Sequence, residues 1–296
     1  MENGKLGNFC KARFAVVGYP DDLAVKNVNG RPGAAQGPGR FLEFLGRLKG
    51  EAPVLESIHR QVLASVGSDL EENHRISADL TATEYRALDS GADALVVVGG
   101  GHDYAYSWLK GLRHAIPGAA RVGCINLDAH FDLREYKPVM TSGSPFRRLL
   151  EEKVLRPEHL IEFGIQGHCN AKDLWEYARK NKIETIPMEK LRFGKAVPEF
   201  KKALQRLRRK CDVVVVSLDL DSISLAFAPG VSAPQPEGFS ASEIYQMLEI
   251  SGADSKVKSL GIFELSPPLD VQDQTSRLAA QGAWKFMEHK LRRKKR

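Results

Sequence analysis

Short, nearly continuous apolar runs recur along the chain: RFAVVGY (Arg13–Tyr19), ALVVV (Ala94–Val98), VGCINL (Val122–Leu127), LIEFGI (Leu160–Ile165), DVVVVS (Asp212–Ser217) and VKSLGIF (Val257–Phe263). A strand apolar at almost every position is buried on both faces, and such strands belong to mostly parallel sheets with helices on either side. The intervening stretches fit that demand. Phe41–Leu48, Thr81–Ser90, Ala105–His114, Arg147–Lys153, Asp173–Asn181, Ala196–Arg209, Ala241–Ile250 and Ser276–Leu291 have helical periodicity or composition, while Val62–Val66 and Ile183–Ile186 are shorter strands. No Pro/Gly/Ser-rich linker divides the 296 residues, so residues 1–296 are expected to form a single domain.

Composition excludes several function classes. The net charge of +6 is concentrated in KKALQRLRRK (Lys201–Lys210) and KLRRKKR (Lys290–Arg296), without interleaved aromatics, and reads as solvated helix faces rather than a nucleic-acid surface. No apolar run approaches the ~18 residues of a membrane span. The opening MENGKLGNFCKARF lacks the apolar core of a signal peptide, so a soluble cytoplasmic protein is expected. Cys10, Cys124, Cys169 and Cys211 stand far apart and read as reduced thiols rather than a disulfide framework.

Chemistry gathers where the apolar runs end. NLDAHFD (Asn126–Asp132) places Asp128, His130 and Asp132 at steps of two, so a strand continuing through them would send all three side chains to one face. The run Asp212–Ser217 leads likewise into Asp219 and Asp221. Ala94–Val98 leads into GGGHD (Gly99–Asp103), whose glycines permit close backbone approach just before His102, and Val257–Phe263 ends at Glu264. GGGHD lacks the spacing of a phosphate loop. Ligands of parallel sheets bind outside the carboxyl ends of the strands. That rule brings His102, Asp128, His130, Asp132, Asp219, Asp221 and Glu264 to one rim. Unpaired buried charges are costly, so such a cluster calls for cations. Four aspartates match two divalent ions, and an oxygen-rich set with imidazole suits Mn²⁺ better than structural zinc. Two such ions about 3.5–4 Å apart activate a shared water, which makes hydrolysis the expected reaction class.

The segments GGGHD, DAHFD (Asp128–Asp132), SLDLDSISLAFAPG (Ser217–Gly230), FELSPPLD (Phe263–Asp270) and QTSRLAA (Gln274–Ala280) resemble, in order, those of the ureohydrolase family of arginase, agmatinase and formimidoylglutamase. The resemblance implies a three-layer αβα sandwich with about eight mostly parallel strands, two Mn²⁺ per subunit, and hydrolysis of a C–N bond in a guanidinium or amidinium group. It places His102, Asp128, Asp132 and Asp221 on one metal or the bridge, and His130 and Asp219, with the shared aspartates, on the other. Glu264 falls on the substrate-cation partner, and Asp132 is expected to handle the proton. Trimers or hexamers are implied as well.

Departures within the family narrow the substrate. Ser224 and Leu225 replace an aspartate and a proline usual in arginases and agmatinases, and VSAP (Val231–Pro234) stands where they commonly carry TGTP. APGVSAP, GRPGAAQGP (Gly30–Pro38), SGSPF (Ser142–Phe146) and GIQ (Gly164–Gln166) with Asn170 look like formimidoylglutamase. Ser142 stands near the position of a proton-shuttling histidine in the urea-releasing members. The expected substrate is therefore the anionic amidine N-formimidoyl-L-glutamate, with Arg147 first and Arg31 second as partners for its carboxylates, and Ser142 and Asn170 as further contacts. Release of urea from agmatine or a guanidino acid is the nearest alternative. A non-enzymatic binding protein of the same fold is another.

Overall fold

The computed structural model describes residues 13–88, 93–118 and 120–293. Cys10, the opening segment, the end of the helix expected over Thr81–Ser90 and the last residues of the terminal basic run lie outside them. The strands are β1 (Phe14–Gly18), β2 (Ile58–Leu63), β3 (Ala94–Val98), β4 (Val122–Leu127), β5 (Leu160–Ile165), β6 (Glu184–Pro187), β7 (Val213–Asp219) and β8 (Val257–Phe263). They form one eight-stranded sheet in the order β2-β1-β3-β8-β7-β4-β5-β6. Every neighbouring pair is parallel.

The helices are α1 (Leu23–Asn27), α2 (Gly37–Leu45), α3 (Leu70–Arg86), α4 (Tyr104–Ala115), α5 (Pro145–Glu151), α6 (Lys172–Lys180), α7 (Ala196–Lys210), α8 (Ala241–Ala253) and α9 (Gln274–Arg292). Alternation along each strand divides them into two outer layers. In β3, Ala94, Val96 and Val98 join a core with Phe41 of α2, Phe200 of α7, Met247 of α8 and Phe286 of α9. Leu95 and Val97 join the opposite core with Trp108 of α4, Phe146 of α5 and Leu174 of α6. Both faces of the six inner strands are thus dry, as the unbroken apolar runs require, while the edge strands β2 and β6 are partly exposed. Trp108 is fully buried and donates its indole N–H to Ser259 Oγ at 2.9 Å, which offsets the cost of burying that group.

Helix α3 starts at Leu70, well before the expected Thr81. Its first turns are too polar to show a periodic apolar face, but Asp69 caps them by accepting the N–H groups of Glu71 and Glu72. Among the described residues, no helix is long and apolar enough to cross a membrane.

Strand order fixes where chemistry can occur. β3, β8, β7 and β4 are consecutive in the middle of the sheet. They are the strands that lead to His102, to Glu264, to Asp219 at the end of β7 with Asp221 beyond it, and to Asp128 through Asp132. Four segments distant in sequence therefore end side by side.

Candidate metal centre

The turn after β3 is shaped by glycine. A side chain at Gly100 would place its Cβ 1.7 Å from the Asp21 carbonyl oxygen, and one at Gly99 would meet the Phe263 ring at 2.3 Å. The close approach anticipated for this turn is to the protein's own β1 and β8 ends. It delivers His102 between the rings of Phe263 and Phe146, at centroid distances of 4.9 and 5.7 Å. Ser217 Oγ lies 2.9 Å from His102 Nε2 and leaves Nδ1 pointing to the rim.

Strand β4 stops at Leu127, so Asp128, His130 and Asp132 do not share a strand face as the spacing suggested. Instead the chain turns back on itself: the His130 N–H donates to Asp128 Oδ1 at 2.7 Å, and Asp132 takes a left-handed conformation with φ 51°. Asn170 holds this segment, accepting the Phe131 N–H and donating to the Ala129 carbonyl, each at 2.9 Å. After β7 a 3-10 turn (Leu220–Ser222) follows, in which Asp219 Oδ1 accepts the Asp221 N–H at 2.8 Å. Glu264 is also left-handed, with φ 66°. Non-glycine residues in that region cost of order 1–3 kcal/mol and persist where the surroundings over-determine them.

Two overlapping donor clusters result. One contains His102, Asp128, Asp132 and Asp219, and the other Asp128, His130 and Asp221. His102 Nδ1 lies 3.0 Å from Asp128 Oδ2, 2.9 Å from Asp132 Oδ2 and 3.0 Å from Asp219 Oδ2. One imidazole N–H cannot point at three oxygens, and no hydrogen bond to this nitrogen has good geometry. Donor atoms about 2.1 Å from one octahedral ion would stand about 3 Å apart, so the spacing fits a cation. His130 Nδ1 lies 3.0 Å from Asp221 Oδ2 and 3.6 Å from Asp128 Oδ1. The resemblance placed Asp221 with His102 and Asp219 with His130; the geometry exchanges them, because Asp219 ends the strand beside His102 and the 3-10 turn carries Asp221 across to His130.

Charge explains why the cluster needs a cation. Burial, with the neighbouring aspartates, raises the carboxyl groups of Asp132, Asp219 and Glu264, and burial lifts Asp221 to about 6. Burial alone would depress the two imidazoles, but the carboxylates around them hold both well above their ordinary range. Asp128 goes the other way: burial pushes it up, yet His102 and His130 together hold it low. Without a cation, protons occupy the place that divalent ions suit, so ions and protons compete for one set of atoms. The donor set fits a binuclear metal site.

A cavity of about 430 Å³ opens over these groups, lined also by Glu264, Arg31, Arg134 and Ser142. Glu264 Oε1 accepts the His102 N–H at 2.9 Å, and Oε2 has no hydrogen-bond partner among the described residues. The expected substrate contacts fare differently. Arg147 is not among the lining residues: it pairs with Glu151 at 2.5 Å and stacks on Tyr177, 4.0 Å from the ring centroid. Asn170 also lies outside the lining, its amide committed to the backbone of Phe131, Ala129 and Gln166. Arg31 does line the cavity, but donates to the Ser232 carbonyl at 2.9 Å and the Val231 carbonyl at 2.8 Å. Arg134, which sequence reasoning passed over, lines the cavity with no hydrogen-bond or ion-pair partner for its guanidinium among the described residues. Its position two residues beyond Asp132 was the available signal. Glu162 was also passed over; it lies fully buried behind Asp128, inside an apolar run.

Comparison with known proteins agrees with this geometry. The arginase family model matches residues 12–288. A formimidoylglutamase of Geobacillus thermodenitrificans is 34% identical over 277 residues, covering 93% of this chain and 84% of the relative. One from Hahella chejuensis is 32% identical over 280 residues, covering 92% and 84%. The crystal structure of Trypanosoma cruzi formiminoglutamase with Mn²⁺₂ superposes with a TM-score of 0.86 at 27% identity, covering 96% of this chain and 95% of that one. With its eight-stranded parallel sheet and two-sided helical layers, this chain belongs to the arginase family.

Proposed function

We propose that this chain hydrolyses N-formimidoyl-L-glutamate to L-glutamate and formamide at a pair of Mn²⁺ ions. The observation that carries the reading is Asp128, shared by two donor clusters under a cavity whose wall holds an arginine without a side-chain partner among the described residues. The curated relatives named formimidoylglutamase support the substrate, and the Mn²⁺₂ of the Trypanosoma cruzi structure supports the metal.

His102, Asp128, Asp132 and Asp219 would hold one ion, and Asp128, His130 and Asp221 the other. Such a pair would supply an activated water at neutral pH and neutralise the carboxylates around it. The chain's own groups do the rest. Glu264, fixed through Oε1, offers Oε2 to an N–H of the amidinium, a charge-assisted hydrogen bond that sets the formimidoyl carbon over the cluster. Water adds to that carbon and its bond to the glutamate nitrogen breaks. Asp132, in the cavity wall, carries the proton from the attacking water to the departing nitrogen. Arg134 presents a planar fork to a glutamate carboxylate, with the Ser142 hydroxyl beside it, while Arg31 holds the facing Val231–Ser232 backbone. Arg147 and Asn170, lying outside the wall, support packing and loop shape instead.

The test is a product assay with purified, Mn²⁺-loaded protein. Equimolar formamide and glutamate from N-formimidoyl-L-glutamate are expected, with no urea from agmatine, arginine or guanidino acids. Urea release without formamide release would overturn the substrate assignment.

A further inference from the structure

Asn126 and Glu162 face each other in the register of β4 and β5, and both are completely buried. The Asn126 amide nitrogen lies 3.0 Å from Glu162 Oε2 and 3.2 Å from Asp128 Oδ2. Its two hydrogens are therefore divided between two carboxyl groups, one of them the aspartate common to both donor clusters. Two atoms are left over. Asn126 Oδ1 and Glu162 Oε1 are both buried, both acceptors, and neither has a hydrogen-bond partner among the described residues. Leaving two such atoms unsatisfied in a dry interior is unfavourable, because neither recovers the hydrogen bond it made to water.

A single proton resolves both. On Glu162 Oε1 it would donate to Asn126 Oδ1 while Asn126 donates to Glu162 Oε2, the cyclic pairing of a carboxylic acid with a primary amide. We infer that Glu162 is a positioning residue, held as the neutral acid and paired to Asn126 in this way, so that the second amide hydrogen of Asn126 fixes the tilt of the shared Asp128. The inference rests on the binuclear reading of the site. Burial, with the Asp128 and Asp132 charges nearby, favours the protonated acid in the same direction. An ionised Glu162 would instead face Asp128 across one amide with no cation between them. Groups that orient a ligand from behind typically change metal affinity 10–100-fold when removed.

The pairing makes an unusual demand on variants. Glutamine has the acceptor and the donor of a neutral acid, so Glu162→Gln restores the ring without a titratable group, whereas Glu162→Leu keeps bulk and loses both bonds. The experiment is calorimetric titration of Mn²⁺ into chelator-stripped protein, with the paramagnetic resonance spectrum of the loaded forms and infrared spectra of parent and Glu162→Gln. The expected results are two ions and a spin-coupled pair in the parent and in Glu162→Gln, and a 10–100-fold weaker second ion with an altered pair signal in Glu162→Leu. A carboxylic-acid carbonyl stretch present in the parent should vanish in Glu162→Gln. If Glu162→Leu does not fold, Asn126→Ala cuts the same link from its other end and should give the same loss. Parent-like affinity and spectra in Glu162→Leu or Asn126→Ala would overturn the inference, as would loss of the second ion in Glu162→Gln. Fewer than two ions in the parent would overturn the binuclear reading and this inference with it.

Discussion

Asp128 and Arg134 carry the most specific consequences at the level of single side chains. Asp128 is the one residue common to both donor clusters, whereas Asp219 belongs only to that of His102. Asp219→Ala should lower metal content and activity together while the His130 cluster retains its donors. Asp128→Ala should take bound metal below one ion per chain and reduce activity by more than the 10–100-fold typical of outer partners. Metal analysis beside a formamide assay separates the two, and unchanged activity in Asp219→Ala would show the site to be misassigned. Among the described residues the Arg134 guanidinium has no competing partner, so its hydrogen-bonding capacity is available to an anionic substrate. A charge-assisted hydrogen bond is worth about 1.5–3 kcal/mol, so Arg134→Ala should raise KM roughly 10–100-fold, with a smaller effect on kcat. Arg147→Ala should leave KM within about twofold, because its guanidinium is spent on Glu151 and Tyr177. Steady-state kinetics on both variants decide between them; the reverse pattern would return Arg147 to the substrate.

Which parts of this were legible in the sequence depends on the element that carries them. Strands such as Ala94–Val98 and Val122–Leu127 are buried on both faces, so their apolar runs coincide with the observed bounds. The rule that ligands meet strand ends brings the six candidate ligands and Glu264 together from the sequence alone. What it could not show was backbone direction past the last sheet residue. Asp128 turns the chain with its own side chain and Asp132 is left-handed, features set by tertiary contacts with Asn170 and Phe163 rather than by spacing. The ion pair of Arg147 was legible in the sequence, since Glu151 stands four residues on in the same helix, a spacing that pairs side chains. The glycine turn allows the close backbone approach that its composition suggested, and the neighbour it meets has a measurable consequence. An added methyl at Gly100 would lie 1.7 Å from a backbone oxygen of Asp21, which cannot swing aside as a side-chain tip can. Gly100→Ala should therefore cost about 3 kcal/mol or more in denaturant unfolding, the upper end for overpacking. A cost near that of an exposed surface change would mean that the β1 and β3 ends are not locked together.

For the whole molecule, the metal centre ties the ends of the four central strands, so occupancy and global stability should move together. An ion present at about 100 times its Kd adds about 2.7 kcal/mol per site, and each kcal/mol shifts Tm by roughly 2–4 °C in chains of this size class. Chelation of both ions should lower Tm by about 10 °C or more. The pH dependence follows from which state holds protons more tightly. In the metal-free fold Asp221 is raised to about 6 and both imidazoles lie well above their ordinary range, so the native state binds more protons than the unfolded chain. The stability this confers is full at low pH; the Asp221 share is lost as pH rises to about 6, and the imidazole share as pH rises further through their folded values. Asp128, shifted down, has the opposite sign, but its contribution changes only below the ordinary carboxylate range. Cations replace those protons and remove the dependence, while their own affinity grows as the ligands deprotonate. The Tm gap between Mn²⁺-loaded and stripped protein should therefore widen between about pH 6 and about pH 8. Calorimetric scans of both forms across that interval measure it directly; a gap that stays constant or narrows would mean that the buried carboxylates and imidazoles are not exchanging protons for metal.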